Sequence, residues 1–356
     1  MVGGTFRGSG VARLFFLVSG ENPSLPFAEV RAILEAEEFP YRVLSKMTQV
    51  LILESNFKCI ESIKHRASLT RACGLLITEC RALKEEILNR IRRATLESFI
   101  APGETFSVRV RRVRGDSPDI NGLLLEREIG MIIFEAVKGS RVDLTQPKKI
   151  FLGILTDRRF IFGLKTAEIK AGEFKKRGPS RTVFSHSAAM PPKIARCMVN
   201  LARPKVGDLV FDPFCGTGSF LVEAGLIGCR VMGSDIQSRM VRGSIQNLSS
   251  CGIDPEGLFI ADARVPPIPS RSIDCVVTDP PYGTSTTTLG MRTSEVYERF
   301  LSVAYDFLKK GGRVCLAAPK TVNVSRIAKE LGFKHQESHF IYIHRRLTRE
   351  IAVFTI

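Results

Sequence analysis

The sequence predicts an α/β protein whose carboxyl-terminal half is a doubly wound sheet, preceded by two smaller α/β units. Three observations carry this. Short apolar runs end in acids at Asp212, Asp235 and Asp262, at three successive points along residues 209–262. A fourth run, Ile273 to Val277, leads into Thr278-Asp279-Pro280-Pro281-Tyr282-Gly283, where two prolines cannot extend a strand because each lacks an amide hydrogen. Upstream, Thr105 to Val113 alternates apolar and basic side chains, the period of a half-buried strand.

Along the amino-terminal half, Val11 to Val18 predicts a strand, and 26–38 a helix with Phe27, Val30, Ile33 and Leu34 at helical spacing. Short strands follow near 41–44 and 50–53, then a helix over 59–67, giving a small α/β unit that spans residues 1–75. A second unit, 76–165, opens with a helix over 82–93. In the strand 105–113, Phe106, Val108 and Val110 occupy one face, and Ser107, Arg109 and Arg111 the other. A helix near 123–137, the run Val142-Asp-Leu-Thr-Gln-Pro147, and strands near 150–156 and 159–164 complete it. This order resembles a THUMP domain, a module found beside RNA-modifying domains. The cations of this module assigned to RNA contact are Arg109, Arg111, Arg112, Arg114, Lys138, Arg141, Lys148 and Lys149. Singly, each is more often a solvated charge; together they suit phosphates and 2′-hydroxyls, through which RNA helices are recognised. Residues 166–184, with Lys175, Lys176, Arg177, Gly178 and Pro179, read as a basic linker.

The domain 185–356 carries the chemistry. A strand at 209–211 runs into Asp212-Pro213-Phe214-Cys215-Gly216-Thr217-Gly218 and then a helix near 220–226. Gly216 and Gly218 let backbone pass close to a ligand without a Cβ clash. The turn is not GxGxxG and offers no lysine to a phosphate. Asp212 instead suits a cation, such as the amino group of a methionine moiety. Asp235 ends the second strand, 19 residues beyond Gly216, the place of a ribose-binding acid. Asp262, after the third strand, could meet an adenine amine. A single aspartate is more often a cap or turn former, but three at successive strand ends, with a fourth following, form a site. Strands are expected at 313–317, 339–344 and 351–355, the last two as an antiparallel hairpin at one edge.

Asp279 and Tyr282 stand on a stiff loop at a strand's carboxyl end, where open α/β sheets bind ligands. The chemistry that needs them there is methylation of an exocyclic amine on a base. Such a nitrogen is a poor nucleophile, because its lone pair is delocalised into the ring. A carboxylate from Asp279 and the Pro280 carbonyl can accept its N–H groups and free that lone pair, while Tyr282 can stack on the base. A hydrogen bond to a charged group contributes roughly 1.5–3 kcal/mol.

Residues 205–356 resemble the class I, Rossmann-like, S-adenosylmethionine-dependent methyltransferases of the amino-methylating kind. The stretch from Phe184 to Ala202, with the Asp-Pro-Pro-Tyr motif, resembles the archaeal tRNA (guanine-N2)-methyltransferases acting at tRNA position ten. The resemblance implies a seven-stranded domain, S-adenosyl-L-methionine as cofactor and tRNA as partner. It also implies a cofactor site of Asp212, Pro213, Phe214, Gly216, Gly218, Asp235, Ile236, Asp262, Ala263 and Asp279, with Asp279, Pro280 and Tyr282 catalytic and no metal. Two departures stand out: Gln237 where a second acid is common, and Ala188-Ala189 where serines are expected. The motif suits one or two methyl transfers. Another tRNA or rRNA guanosine, DNA adenine N6, and a non-catalytic RNA-binding protein are the alternative readings.

Bulk properties fit. With 44% apolar and 25% charged residues the chain is an ordinary globular one, and no apolar run approaches the ~18 residues of a membrane span. Nine cysteines without a C-x-x-C pair argue against a disulfide framework or zinc site and for the reducing cytoplasm. A net charge of +16 favours a polyanionic partner.

Overall fold

The computed structural model describes residues 10–178, 181–187, 189–282, 292–345 and 347–356. Pro179 of the expected linker, Ala188, Gly283 of the motif and Arg346 of the terminal hairpin lie outside the described residues. The chain divides into two compact units: residues up to Phe27 with Glu38–Lys64 and Thr70–Lys170, and Ala28–Glu37 with His65–Leu69 and Ala171–Ile356.

The first unit holds β1 (Val11–Val18), β2 (Tyr41–Met47), β3 (Val50–Asn56), β4 (Thr70–Arg81), β5 (Thr105–Arg112), β6 (Arg141–Val142), β7 (Lys149–Thr156) and β8 (Arg159–Glu168). They form one eight-stranded sheet in the order β2-β3-β1-β4-β8-β7-β5-β6. β5 runs parallel to β6 and β7, and the other neighbours are antiparallel. The expected boundary at residue 75 falls inside β4, which pairs with β1 on one side and β8 on the other. Residues on both sides of that boundary therefore share a sheet. Gly74 permits the pairing, since a Cβ there would sit 1.9 Å from the Leu164 carbonyl oxygen. Phe15, Ile52, Leu76, Leu152, Ile154 and Ile161 pack in its core. The helix 122–136 begins at Asn121, whose side chain accepts from the Leu124 amide at 3.1 Å. It buries Leu125, Ile129, Ile132 and Ile133, one stripe at helical spacing.

The second unit holds β9 (Leu209–Asp212), β10 (Arg230–Asp235), β11 (Gly257–Ile260), β12 (Ile273–Thr278), β13 (Leu308–Pro319), β14 (Lys334–His344) and β15 (Leu347–Thr355). Their order is β11-β10-β9-β12-β13-β15-β14. The first five of these pair in parallel, while β15 is antiparallel to both its neighbours. The terminal hairpin lies at one edge, as expected. Strand order reverses between β9 and β12, so a crevice opens at their carboxyl ends. Phe211, Val276, Tyr297, Phe300, Phe307, Leu316 and Phe354 fill the core.

Segments 28–37 and 65–69 join this unit through buried polar contacts that hydrophobic patterning could not reveal. Glu29 is fully buried and accepts from Ser68 N at 2.9 Å, Ser68 Oγ at 2.6 Å, Leu69 N at 2.8 Å and Asn200 Nδ2 at 3.1 Å. Buried Arg66 donates to Glu37 at 2.7 Å and to the Pro204 carbonyl at 3.0 Å. Burial pushes the Glu29 carboxyl up, and its hydrogen bonds offset part of that cost. The expected linker is not free either. Residues 166–168 complete β8, and Arg177 lies 2.8 Å from Glu223, itself 1% exposed.

Candidate active site

Strand ends at the crevice bring the expected acids together. Asp212, Asp235, Asp262 and Asp279 all line one cavity of about 410 Å³, with Pro213, Phe214, Gly216, Ile236 and Ala263, within the size range of small-molecule sites. Asp212 is fully buried at the end of β9. Its Oδ1 accepts from Thr278 Oγ1 at 2.7 Å and Phe214 N at 3.1 Å, while Oδ2 is buried without a partner. Burial pushes its carboxyl up to about 8. An unsatisfied buried oxygen costs free energy, and a cationic ligand would repay it.

Asp235 accepts from the Gly216 amide at 3.0 Å and the Gln237 amide at 2.9 Å, tying the glycine turn to the end of β10. Burial raises its carboxyl, against these two amides. Gly216 lines the cavity with φ of +50°. Gly218 does not line it. With φ of +79° it caps the helix 219–225, and a Cβ there would meet Ser244 Oγ at 2.4 Å. Asp262 also departs from expectation. Its carboxylate is held by Arg264 Nε at 2.8 and 2.9 Å, which pulls it below its ordinary value and competes with any adenine amine. Sequence reasoning had no signal for that short-range pair.

At the end of β12, Asp279 faces this cavity. Its Oδ1 is buried with no hydrogen-bond partner. Oδ2 lies 3.5 Å from Arg349 Nη2. Burial raises the carboxyl to about 6, and the Arg349 cation and Tyr282 hydroxyl act the other way. The Pro280 carbonyl receives the Tyr297 hydroxyl at 3.5 Å, a long contact; that hydroxyl bonds the Ala317 carbonyl at 3.0 Å. Tyr282 differs from a free stacking platform, because its hydroxyl accepts from Arg349 Nε at 2.7 Å. Arg349 escaped the sequence reading, since a lone arginine in a distant strand carries no local pattern. The segment 184–202 contributes Met190 and His186 to the cavity wall.

The basic residues of the first unit are more engaged than expected. Ser107 is buried. Arg109 donates to the Leu144 carbonyl at 3.0 Å and Arg112 to that of Ile120. Arg111 lies 3.9 Å from Glu168, and Lys148 and Lys149 lie 2.8 and 4.0 Å from Glu104. Arg114, Lys138 and Arg141 are exposed and have no ion-pair partner among the described residues.

Residues 179–349 match the family model of the RMKL-like methyltransferase domain, UPF0020, and residues 82–162 match the THUMP domain. The tRNA (guanine(10)-N2)-dimethyltransferase of Methanothermobacter thermautotrophicus is 35% identical over 96% of this chain and 98% of its own length. The chain belongs to the archaeal THUMP-domain tRNA (guanine-N2)-methyltransferase family. The Pyrococcus abyssi protein of the same name is 33% identical over 93% of this chain and 96% of its own. Crystalline TrmN from Thermus thermophilus shares the fold, with a TM-score of 0.55, 20% identity, and coverage of 96% of this chain and 99% of that one. As a class I methyltransferase, this family member uses S-adenosyl-L-methionine. The site suits that group: a partnerless buried carboxylate oxygen at Asp212 for a cation, and a glycine turn held by Asp235. Among the described residues no cluster of acids, histidines and cysteines could hold a metal, and no helix is long and apolar enough to cross a membrane.

Proposed function

We propose that this methyltransferase acts on the N2 amine of a guanosine at tRNA position ten and adds two methyl groups in succession. The observation that carries the reading is Asp279 Oδ1, a buried acceptor without a partner on the wall of the cofactor-sized cavity. The archaeal relatives' names supply the nucleotide and the methyl count.

S-adenosylmethionine, when bound, supplies a methyl group already activated by the sulfonium, so no metal is needed. Asp212 and the turn through Gly216 would hold its amino-acid end, Asp235 its ribose hydroxyls, and Ile236 and Ala263 would line the place of its base. Asp262, which lines the same cavity, would serve the adenine amine only by sharing its carboxylate with Arg264. The guanine leaves its stack at a cost of a few kcal/mol. Asp279 and the Pro280 carbonyl accept hydrogen bonds from its amine, and Tyr282 borders the base. Positioning of this kind contributes up to ~7–11 kcal/mol in favourable cases. After transfer, Asp279 takes the surplus proton. RNA contact falls to the THUMP domain through the eight cations named above, led by Arg114, Lys138 and Arg141. We place the reaction in the cytoplasm; the cysteines carry no disulfide, eight of the nine being buried.

The test is mass spectrometry of nuclease-digested tRNA after incubation with enzyme and cofactor. N2-methylguanosine followed by N2,N2-dimethylguanosine from position ten is the expected result. Methylated adenosine, or a methyl group at another position, would overturn the assignment.

A further inference from the structure

We infer that Arg349 is a positioning residue of the transfer site, clamping Tyr282 and one oxygen of Asp279 so that a single carboxylate oxygen faces the amine. The inference rests on the reading above and concerns how Asp279 is held.

Arg349 stands near the start of β15, opposite Pro319 of β13 and Ile341 of β14. Because β15 runs against the other strands, its amino-terminal end lies where their carboxyl ends lie. That reversal is what brings residue 349 to the catalytic loop. The guanidinium is mostly buried, at 16% exposure, as is Asp279 at 15%. Its Nε donates to the Tyr282 hydroxyl at 2.7 Å, Nη2 reaches both that hydroxyl and Asp279 Oδ2, and Nη1 donates to Met190 Sδ at 3.5 Å. The guanidinium also lies over the Tyr282 ring, 5.6 Å from its centroid. The tyrosine hydroxyl in turn bonds Asp279. The two oxygens of Asp279 are thereby made unlike: Oδ2 is bound and Oδ1 has no partner.

A planar fork can hold two groups in fixed relation, whereas an ammonium acts as a point charge. The groups facing Asp279 are Arg349, Tyr282, the Tyr297 hydroxyl and, across the cavity, Asp212. Of these only Arg349 is cationic. Its removal would leave two carboxyls and two phenols together, and Asp279 would hold its proton to higher pH.

The experiment compares full-length wild type with Arg349→Met, Arg349→Lys and Tyr282→Phe. In Arg349→Met, cofactor affinity by calorimetry should stay within a few-fold. Its kcat on tRNA should fall roughly 10²-fold, the cost of a misplaced reacting group. The acid limb of its kcat/KM profile should move up by ~1 pH unit or more, the effect of losing an opposite charge. Arg349→Lys should keep the limb near wild type yet recover little of kcat. An unmoved limb with kcat within a few-fold of wild type in Arg349→Met, or full recovery of kcat in Arg349→Lys, overturns the clamp. If Arg349→Met does not fold, the double variant Arg349→Lys/Tyr282→Phe decides. The two losses should overlap, and strictly additive losses contradict the inference. The Asp279 carboxyl titration, followed by 13C NMR without RNA, reads the same limb. A wild type inactive on tRNA therefore contradicts the substrate reading while the Arg349 result stands separately.

Discussion

Burial raises the carboxyls of Asp212 and Asp279 to different values, about 8 and about 6. Asp212 sits at about 8 because desolvation outweighs the hydrogen bonds from Thr278 and Phe214. At neutral pH it is mostly protonated, and a cationic ligand beside Oδ2 should expel that proton. Cofactor affinity should accordingly rise with pH toward 8, with proton release visible in calorimetry across buffers of different ionisation enthalpy. A carboxyl raised in the folded state contributes stability that is complete below its ordinary value of 3.8 and is lost as pH rises through about 8. Asp212→Asn should therefore melt higher than wild type near pH 9, with the difference closing near pH 4. The same variant should bind cofactor more weakly, by roughly 1.5–3 kcal/mol for a lost charged hydrogen bond. Equal melting at both pH values would contradict the assignment. In the proposed role Asp279, at about 6, would have to be ionised to accept the amine, so activity should climb through pH 6 and then level.

Among elements, β4 is the most instructive. Its 12 residues, Thr70–Arg81, lie between β1 and β8 and are largely buried, with register shifts at Cys73/Gly74 and Leu76/Thr78. Burial on both faces removes the alternation that marks a strand, and two irregularities blur what remains. The boundary expected at residue 75 therefore falls on an interior strand of the sheet. The short parallel strands β9, β10 and β12 were legible for the opposite reason: each stops at an acid or a proline that no strand interior would hold. The single partners Arg264 and Arg349 were not legible, because pairing across a fold leaves no periodic trace. Gly74→Ala tests the close approach within β4. A Cβ 1.9 Å from the Leu164 carbonyl must part the strands, and the variant should lose ~2 kcal/mol or more in denaturant unfolding, as overpacked and strained sites do. A loss below about 0.5 kcal/mol, the range of neutral surface changes, would show that the pairing tolerates a side chain.

For the whole molecule, a net charge of +16 makes RNA affinity salt-dependent through counterion release. Charge alone does not choose the contacts, since five of the eight expected cations are bonded within their own unit. Replacing Arg114, Lys138 and Arg141 together should weaken tRNA binding and flatten its salt dependence, each phosphate contact contributing ~0.7–0.9 to the slope. The Lys148 and Lys149 double replacement should do less, because Glu104 already neutralises part of that charge. Equal slopes for both sets, measured by filter binding over a salt series, would refute this ranking. The central claim is that a buried carboxylate at the end of β12 holds the amine during transfer. Single-turnover methyl transfer by Asp279→Ala, set beside its cofactor dissociation constant, tests it most directly. Affinity within a few-fold of wild type with transfer abolished is the expected pair of values; transfer to tRNA near the wild-type rate would contradict the account.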